Sequence, residues 1–65
     1  MLFKIVCSNN TIIVYEYETG AIINVFQGHS NFIHSLIYNP NPTKFVFYTA
    51  SEDGTVRAWD IVLNK

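Results

Sequence analysis

The stretch TASEDGTVRAWD, residues 49–60, decides the fold of this 65-residue chain. It opens with strand-forming residues, continues through the turn sequence Glu52-Asp53-Gly54, and ends in a second strand that carries the only tryptophan, Trp59. This order is typical of a β-hairpin, because Asp-Gly supplies the backbone conformations that a tight turn requires. The stretch therefore predicts two antiparallel strands and leaves open what Trp59 and Asp60 add to them.

The rest of the chain carries the same signals and predicts six strands without a helix. β-Branched and aromatic residues recur in short apolar runs that turn-forming residues or prolines separate. The connections are short, which favours antiparallel pairing of sequential strands. The predicted strands cover residues 2–8, 11–17, 21–26, 32–38, 44–50 and 55–61.

Composition narrows the functional classes. Hydrophobic residues make up 49% of the chain and charged residues 14%, which favours a packed structure over disorder. The four basic residues are scattered and the net charge is −1, so nothing predicts direct nucleic-acid binding. No apolar run approaches the ~18 residues of a membrane span, and no membrane partner is expected. A single cysteine, Cys7, excludes an internal disulfide and favours an intracellular location, either cytoplasmic or nuclear and nucleolar.

The hairpin occurs twice along the sequence. A shift of 44 residues places Tyr15-Glu16 on Trp59-Asp60 and Asn9-Asn10-Thr11 on Asp53-Gly54-Thr55. The same shift predicts that Ile5 stands where Thr49 stands later. A period of this length lies within the ~40–45 residues of one four-stranded propeller blade.

The segments QGHSNFIHSLIYNPNP and FYTASEDGTVRAWDI resemble one repeat of the WD40 family. The resemblance implies an all-β fold of antiparallel β-propeller blades, in which six strands form about one and a half blades. Residues 1–27 would be the last three strands of a degenerate blade, and residues 28–65 the first three strands of a well-formed repeat. The positions that follow the family pattern are Gly28, His29, Ile33, Leu36, Tyr38, Pro40, Thr49, Ser51, Asp53, Gly54, Thr55, Trp59 and Asp60.

The resemblance also implies a buried hydrogen-bond network of His29, Thr49, Asp53 and Trp59. A buried indole needs an acceptor, and a hydroxyl can accept from it while donating to imidazole. Thr49 and Ser51 share one strand face, so either hydroxyl could serve, and the family position favours Thr49. The repeat signature is completed by Gly28, Ser51, Gly54 and Asp60. In the first half, Ile5 and Asn9 interrupt the pattern, and no second network is expected.

The sequence contains no pattern typical of a catalytic or metal-binding site. No second histidine, cysteine or carboxylate lies at ligand spacing from His29, so no metal, cofactor or catalytic residue is predicted and the chain is not expected to be an enzyme. His34 is expected on the surface, and Cys7 as a small apolar strand residue. The ten aromatic residues are expected in the core.

The resemblance implies a scaffold that binds other proteins through its loops. The expected contact loops are residues 18–20, 28–31 and 39–44, which include Ser30, Asn31, Asn39 and Asn41. A narrower resemblance, to nucleolar WD40 proteins of the transducin beta-like 3 kind, implies scaffolding in pre-rRNA processing by the small-subunit processome.

One and a half blades leave their flanks uncovered, since repeats of this kind need about three units for a continuous core. The chain is therefore expected to be a segment of a longer propeller, a truncated gene product, or a unit that assembles with copies of itself. Its partners would be the remaining blades or those copies, together with other proteins.

Overall fold

A computed structural model describes residues 2–41 and 44–65, and within them the chain forms six strands and no helix. No helix in this part of the chain could therefore span a membrane. The predicted number and order of strands are confirmed, with ends that agree within two residues. Pro42 and Thr43, in the predicted 39–44 loop, lie outside the described residues, as does Met1. The strands are β1 (Phe3–Ser8), β2 (Thr11–Glu16), β3 (Ile22–Gln27), β4 (Ile33–Tyr38), β5 (Val46–Ser51) and β6 (Val56–Asp60).

The strands form two antiparallel sheets of three, in the order β1-β2-β3 and β4-β5-β6. Each strand pairs with its neighbour in sequence, as short connections favour. An extra residue enters the β4–β5 ladder between Ile33 and Ser35, where His34 lies exposed as predicted. Two packed three-stranded sheets confirm the all-β, propeller-like fold.

The turns of the two equivalent hairpins differ in length. Ser8 pairs with Thr11 across two turn residues, whereas Ala50 pairs with Val56 across a longer loop. Asn9 and Gly54 hold the turns with φ values of 55° and 85°, a region that asparagine and glycine tolerate best. Because the turns differ, a single shift of 44 residues cannot superpose both strands of the hairpins.

This offset changes the counterpart of Thr49 in the first sheet. Thr49 lies two residues beyond the ladder partner of Trp59. The residue two beyond the ladder partner of Tyr15 is Val6, so the prediction that Ile5 occupies this place is wrong. An offset of one residue moves a side chain to the opposite face of a strand. Ile5 therefore lies on the face of β1 opposite to that of Val6, and its side chain packs against the core. Val6 also lacks a hydroxyl, so the first sheet has no equivalent of Thr49.

The core lies between the two sheets. Phe26 on β3 meets Trp59 on β6 at a ring-centroid distance of 5.2 Å and Phe47 on β5 at 5.9 Å. Cys7 is half-buried against the core, and its burial raises the pKa of the thiol. The buried apolar residues are Ile12, Val14, Phe26, Phe47, Trp59 and Ile61.

The expectation that the aromatic residues form the core is correct only for Phe26, Phe47 and Trp59. Tyr17 and Phe32 are more than half exposed, and other aromatic rings remain partly open to solvent. The reason is geometric. Each sheet buries one face against the other, so side chains at strand ends and on the outer faces have no second layer to cover them.

The connections alternate between two ends of the structure. One end, called the His29 end below, contains residues 9–10, 28–32 and 52–55. The opposite end contains residues 17–21, 39–41, 44–45 and 61–65. The predicted contact loops are therefore divided, because residues 28–31 lie at the His29 end and residues 18–20 and 39–41 at the opposite end.

Candidate functional site

A buried hydrogen-bond network joins β6, β5 and the connection that precedes β4. The Thr49 hydroxyl lies at its centre, 2.8 Å from Trp59 Nε1 and 2.7 Å from His29 Nε2. His29 Nδ1 lies 2.9 Å from Asp53 Oδ2. The indole therefore contacts Thr49, while Ser51 has other partners. The four side chains are brought together from positions up to 30 residues apart in sequence.

One arrangement of protons satisfies every atom of the network. Trp59 can only donate, so Thr49 Oγ1 accepts the indole N–H and its own proton points to His29 Nε2. Nε2 must then be the accepting nitrogen, and Nδ1–H donates to Asp53. Fully satisfied networks of this kind rigidify a structure, because a low-dielectric interior strengthens each bond and penalises any broken one.

Thr55 belongs to the same cluster, although no role was predicted for it from the sequence. Its hydroxyl donates to Asp53 Oδ1 and lies 3.2 Å from His29 Nδ1. The hydrogen bond from the Thr55 hydroxyl, followed by those from His29 and the Ser30 and Thr55 backbone N–H groups, holds the pKa of Asp53 well below its ordinary value. The Asp-Gly-Thr motif was the available signal for Thr55.

Two signature residues bind the backbone around the network. The Ser51 hydroxyl lies 2.9 Å from the Phe32 carbonyl and 3.1 Å from the Asn31 carbonyl, and it accepts from Asp53 N–H. Asp60 Oδ1 accepts the backbone N–H groups of residues 62 and 63, at 2.9 and 3.0 Å, and so closes the turn after β6. Both side chains replace backbone partners that the turns lack.

Gly28 is required by close packing against the indole. A Cβ atom added there would lie 2.9 Å from Trp59 Cη2 and 3.2 Å from an Arg57 guanidinium nitrogen. Gly28 does not share the positive φ of Gly54, so its role is steric. The Gly-His pair thus places the imidazole inside the network and lets the backbone pass over the tryptophan ring.

Two asparagines, which the sequence analysis also missed, tie the sheets together. Asn10 Nδ2 donates to the His29 carbonyl at 3.1 Å, and Asn24 Nδ2 donates to the Ile61 carbonyl at 2.8 Å. The Ile33 N–H donates to the carbonyl of Asn9 at 2.8 Å. The partners of these asparagines lie in the second sheet or in the segments that adjoin it, so no local sequence pattern predicts these bonds.

The predicted contact residues differ in position and surroundings. Ser30 and Asn31 are exposed at the His29 end, beside a polar cleft of about 230 Å³ between residues 9–10 and 30–32. Asn39 and Asn41 lie at the opposite end, where Asn39 Nδ2 donates to the Tyr48 hydroxyl and Asn39 Oδ1 accepts the Asn41 N–H. An apolar groove of about 220 Å³ opens between the sheets at that end.

The geometry gives His29 a structural task. Its side chain is fully buried and both ring nitrogens have partners within the chain, so neither faces a substrate. Among residues 2–41 and 44–65, no three histidine, cysteine or carboxylate side chains cluster as a metal site. The network can stiffen the second sheet and fix the His29 end, and such rigidity suits a scaffold.

Comparison with known proteins agrees with this architecture. The family model described as WD domain, G-beta repeat matches residues 20–60, which include β3 through β6. The chain belongs to this family of WD40-repeat proteins. No solved structure matches the chain.

Curated relatives match over short segments. Periodic tryptophan protein 2 of Saccharomyces cerevisiae is 42% identical over 77% of this chain and 5% of its own length. THO complex subunit 6 of Arabidopsis thaliana is 35% identical over 78% of this chain and 13% of its own. Ribosome biogenesis protein YTM1 of Yarrowia lipolytica is 45% identical over 58% of this chain and 7% of its own. The chain therefore matches only a small part of these relatives.

Proposed function

We propose that this chain is a rigid, non-enzymatic part of a WD40 propeller and that its His29 end binds protein partners. The observation that carries the proposal is the hydrogen bonding of that end. The backbone of residues 29–33 is held by Asn10, by Asp53 and by Ser51, and Ile33 N–H is bound to Asn9. A loop that is already ordered loses little conformational entropy when a partner binds.

The sheets also suggest how the chain fits a propeller. A propeller blade has four strands, and each sheet here has three. In our proposal β1–β3, within residues 1–27, are the last three strands of one blade, and β4–β6, within residues 28–65, are the first three of the next. Copies of this chain alone would leave each blade one strand short, which favours the remaining blades of a longer propeller as the neighbours over self-assembly.

Site-specific cross-linking tests the proposed binding end. A photoreactive amino acid replaces Asn31 at the His29 end, in the protein as its cells produce it, and Val62 at the opposite end as the matched exposed control. We expect defined protein adducts from position 31 and few from position 62. Equal labelling from both positions, or no protein adduct from position 31, would contradict the proposal.

A second candidate concerns the process that the scaffold serves. The similarity to the Yarrowia ribosome biogenesis protein favours a role in ribosome assembly. We propose that this role is carried out in the nucleus or nucleolus. A role in ribosome assembly agrees with the expected function in pre-rRNA processing. The similarity to THO complex subunit 6 of Arabidopsis thaliana instead favours association with a THO complex. Depletion of the protein should cause precursors of ribosomal RNA to accumulate. Unchanged precursors together with co-purification of THO subunits would reject ribosome assembly in favour of the alternative.

A further inference from the structure

Phe32, at the His29 end, is an exposed aromatic residue on a fixed backbone. Its side chain lies just before β4 and the residue is 59% exposed. Its N–H donates to Asn31 Oδ1 at 2.8 Å, and its carbonyl accepts from Glu52 N–H and the Ser51 hydroxyl, each at 2.9 Å. Both backbone polar groups of Phe32 are therefore satisfied, and the apolar ring remains in solvent. Fixed aromatic residues of this kind supply much of the binding energy at protein interfaces.

The surroundings of Phe32 combine acceptors with negative charge. The cleft beside it is lined by Asn9, Asn10, Ser30 and Asn31, none of which carries a charge. Glu52, bound to the Phe32 carbonyl through its backbone, is exposed. Within residues 2–41 and 44–65, no salt bridge involves the Glu52 carboxylate, so it has no cationic partner there.

We propose that Phe32, Glu52 and the adjacent asparagine-lined cleft form a docking point for an arginine side chain of a partner protein. This rests on the proposed function, since it names the partner chemistry of the same end. A guanidinium group is planar, stacks on an aromatic face, and donates in a fork that matches a carboxylate. Phe32 supplies the face and Glu52 the carboxylate, and the uncharged residues of the cleft, Asn9, Asn10, Ser30 and Asn31, lie beside Phe32.

Single-stranded RNA is the competing occupant, because exposed aromatic rings also stack on bases. Charge argues against it at this position. Glu52 and Asp53 are adjacent carboxylates, and no lysine or arginine lines the cleft. Nucleic-acid binding depends on lysine and arginine contacts to phosphates. An arginine-bearing protein segment fits this charge, whereas a phosphate backbone does not.

The test uses the protein in the form that its cells produce and a blocked pentapeptide, Ala-Ala-Arg-Ala-Ala. NMR titration follows the amide signals of Asn10, Phe32 and Glu52, with a glutamine-centred peptide and octauridylate as parallel ligands. We expect the arginine peptide to shift these signals more than the other ligands do. Phe32→Ala and Glu52→Gln should each weaken its binding by about threefold to tenfold. Tyr38→Ala is the matched control, because Tyr38 is 60% exposed at the other end of β4, and it should change nothing.

The outcomes separate the two proposals. Equal shifts with the glutamine peptide, stronger binding of octauridylate, or unchanged affinity in both Phe32→Ala and Glu52→Gln would overturn the arginine site. If cross-linking at position 31 still yields protein adducts, the scaffold function stands and only the arginine site fails. If neither protein adducts nor peptide binding occurs, the proposed function fails with it.

Discussion

Trp59 Nε1 donates a hydrogen bond to Thr49 Oγ1 across 2.8 Å, and this bond links β6 to β5 inside the inter-sheet core. The same oxygen lies 2.7 Å from His29 Nε2, so one hydroxyl holds the indole and the imidazole together. Neither ring could reach water in its place, since Trp59 is 7% and His29 3% exposed. Thr49 is thus the position at which a single atom change most directly breaks the network.

Replacing Thr49 with valine should destabilise the protein by about 1–3 kcal/mol, because the indole N–H and an imidazole nitrogen are left buried without partners. Valine keeps the shape of threonine, so packing changes little. Urea unfolding followed by tryptophan fluorescence measures the effect. Thr49→Ser is the matched control, as it retains the hydroxyl and should keep most of the stability. Equal unfolding of the valine variant and the native chain would show that the network contributes nothing to stability.

Truncating Trp59 to alanine should cost about 3–5 kcal/mol, the range for large aromatic residues removed from a core. The indole contacts Phe26 across the sheet interface and occupies the space beside Gly28. Circular dichroism during thermal unfolding measures the loss. Tyr17→Ala removes a comparable ring that is 64% exposed and should change stability by about 0.5 kcal/mol or less. Similar losses in the two variants would refute a core role for the indole.

The strand pattern and the Asp53-Gly54 turn were readable from the sequence because their signals are local. The Asp53-Gly54 turn and the alternation along β5 each depend on neighbouring residues. The exposed position of Phe32 was not readable, because it depends on the lack of a second layer at that strand end. The counterpart of Thr49 was misassigned for a related reason: register depends on turn length, and the Asn9-Asn10 turn is shorter than its equivalent.

Gly28→Ala should destabilise the protein by about 1–3 kcal/mol through overpacking, since the new Cβ would lie 2.9 Å from Trp59 Cη2. A smaller ring should relieve the clash, so the change should cost less in a Trp59→Phe background. Gly20→Ala is the control without a steric neighbour, because nothing lies within 4 Å of its added Cβ and only its φ of +75° opposes alanine. Its cost should be the same in both backgrounds. Additive effects of Gly28→Ala and Trp59→Phe would rule out the clash.

Acid should weaken the fold through Asp53. Its pKa is lower in the folded state, so the ionised carboxylate adds stability above the unfolded-state pKa of about 4. This contribution disappears as the pH falls from there through the lower folded pKa. Hydrogen bonds from Thr19 also lower the pKa of Glu16, so ionisation of Glu16 favours the folded state in the same direction.

Unfolding free energies measured by urea between pH 7 and pH 2 test this dependence. Asp53→Asn should lose stability less steeply with acid than the native chain, because asparagine does not ionise. Thr55→Val should also flatten the profile, since it removes the hydroxyl that donates to Asp53 and lowers its pKa. Parallel profiles for all three proteins would show that Asp53 does not cause the loss of stability in acid.

The outer faces of the sheets should make the isolated chain self-associate. On the second sheet, Ile37 and Val56 are 64% and 72% exposed, on the face turned away from the first sheet. An apolar strand face without a covering layer invites contact with another copy. The Ile37→Lys, Val56→Lys double variant should therefore remain monomeric at concentrations at which the native chain forms larger species by light scattering.

Ser30→Lys with His34→Lys is the charge-matched control, as both are already polar surface positions, and it should still associate. If the control suppresses association as fully, net charge accounts for solubility, and the outer face of the second sheet has no special part in it.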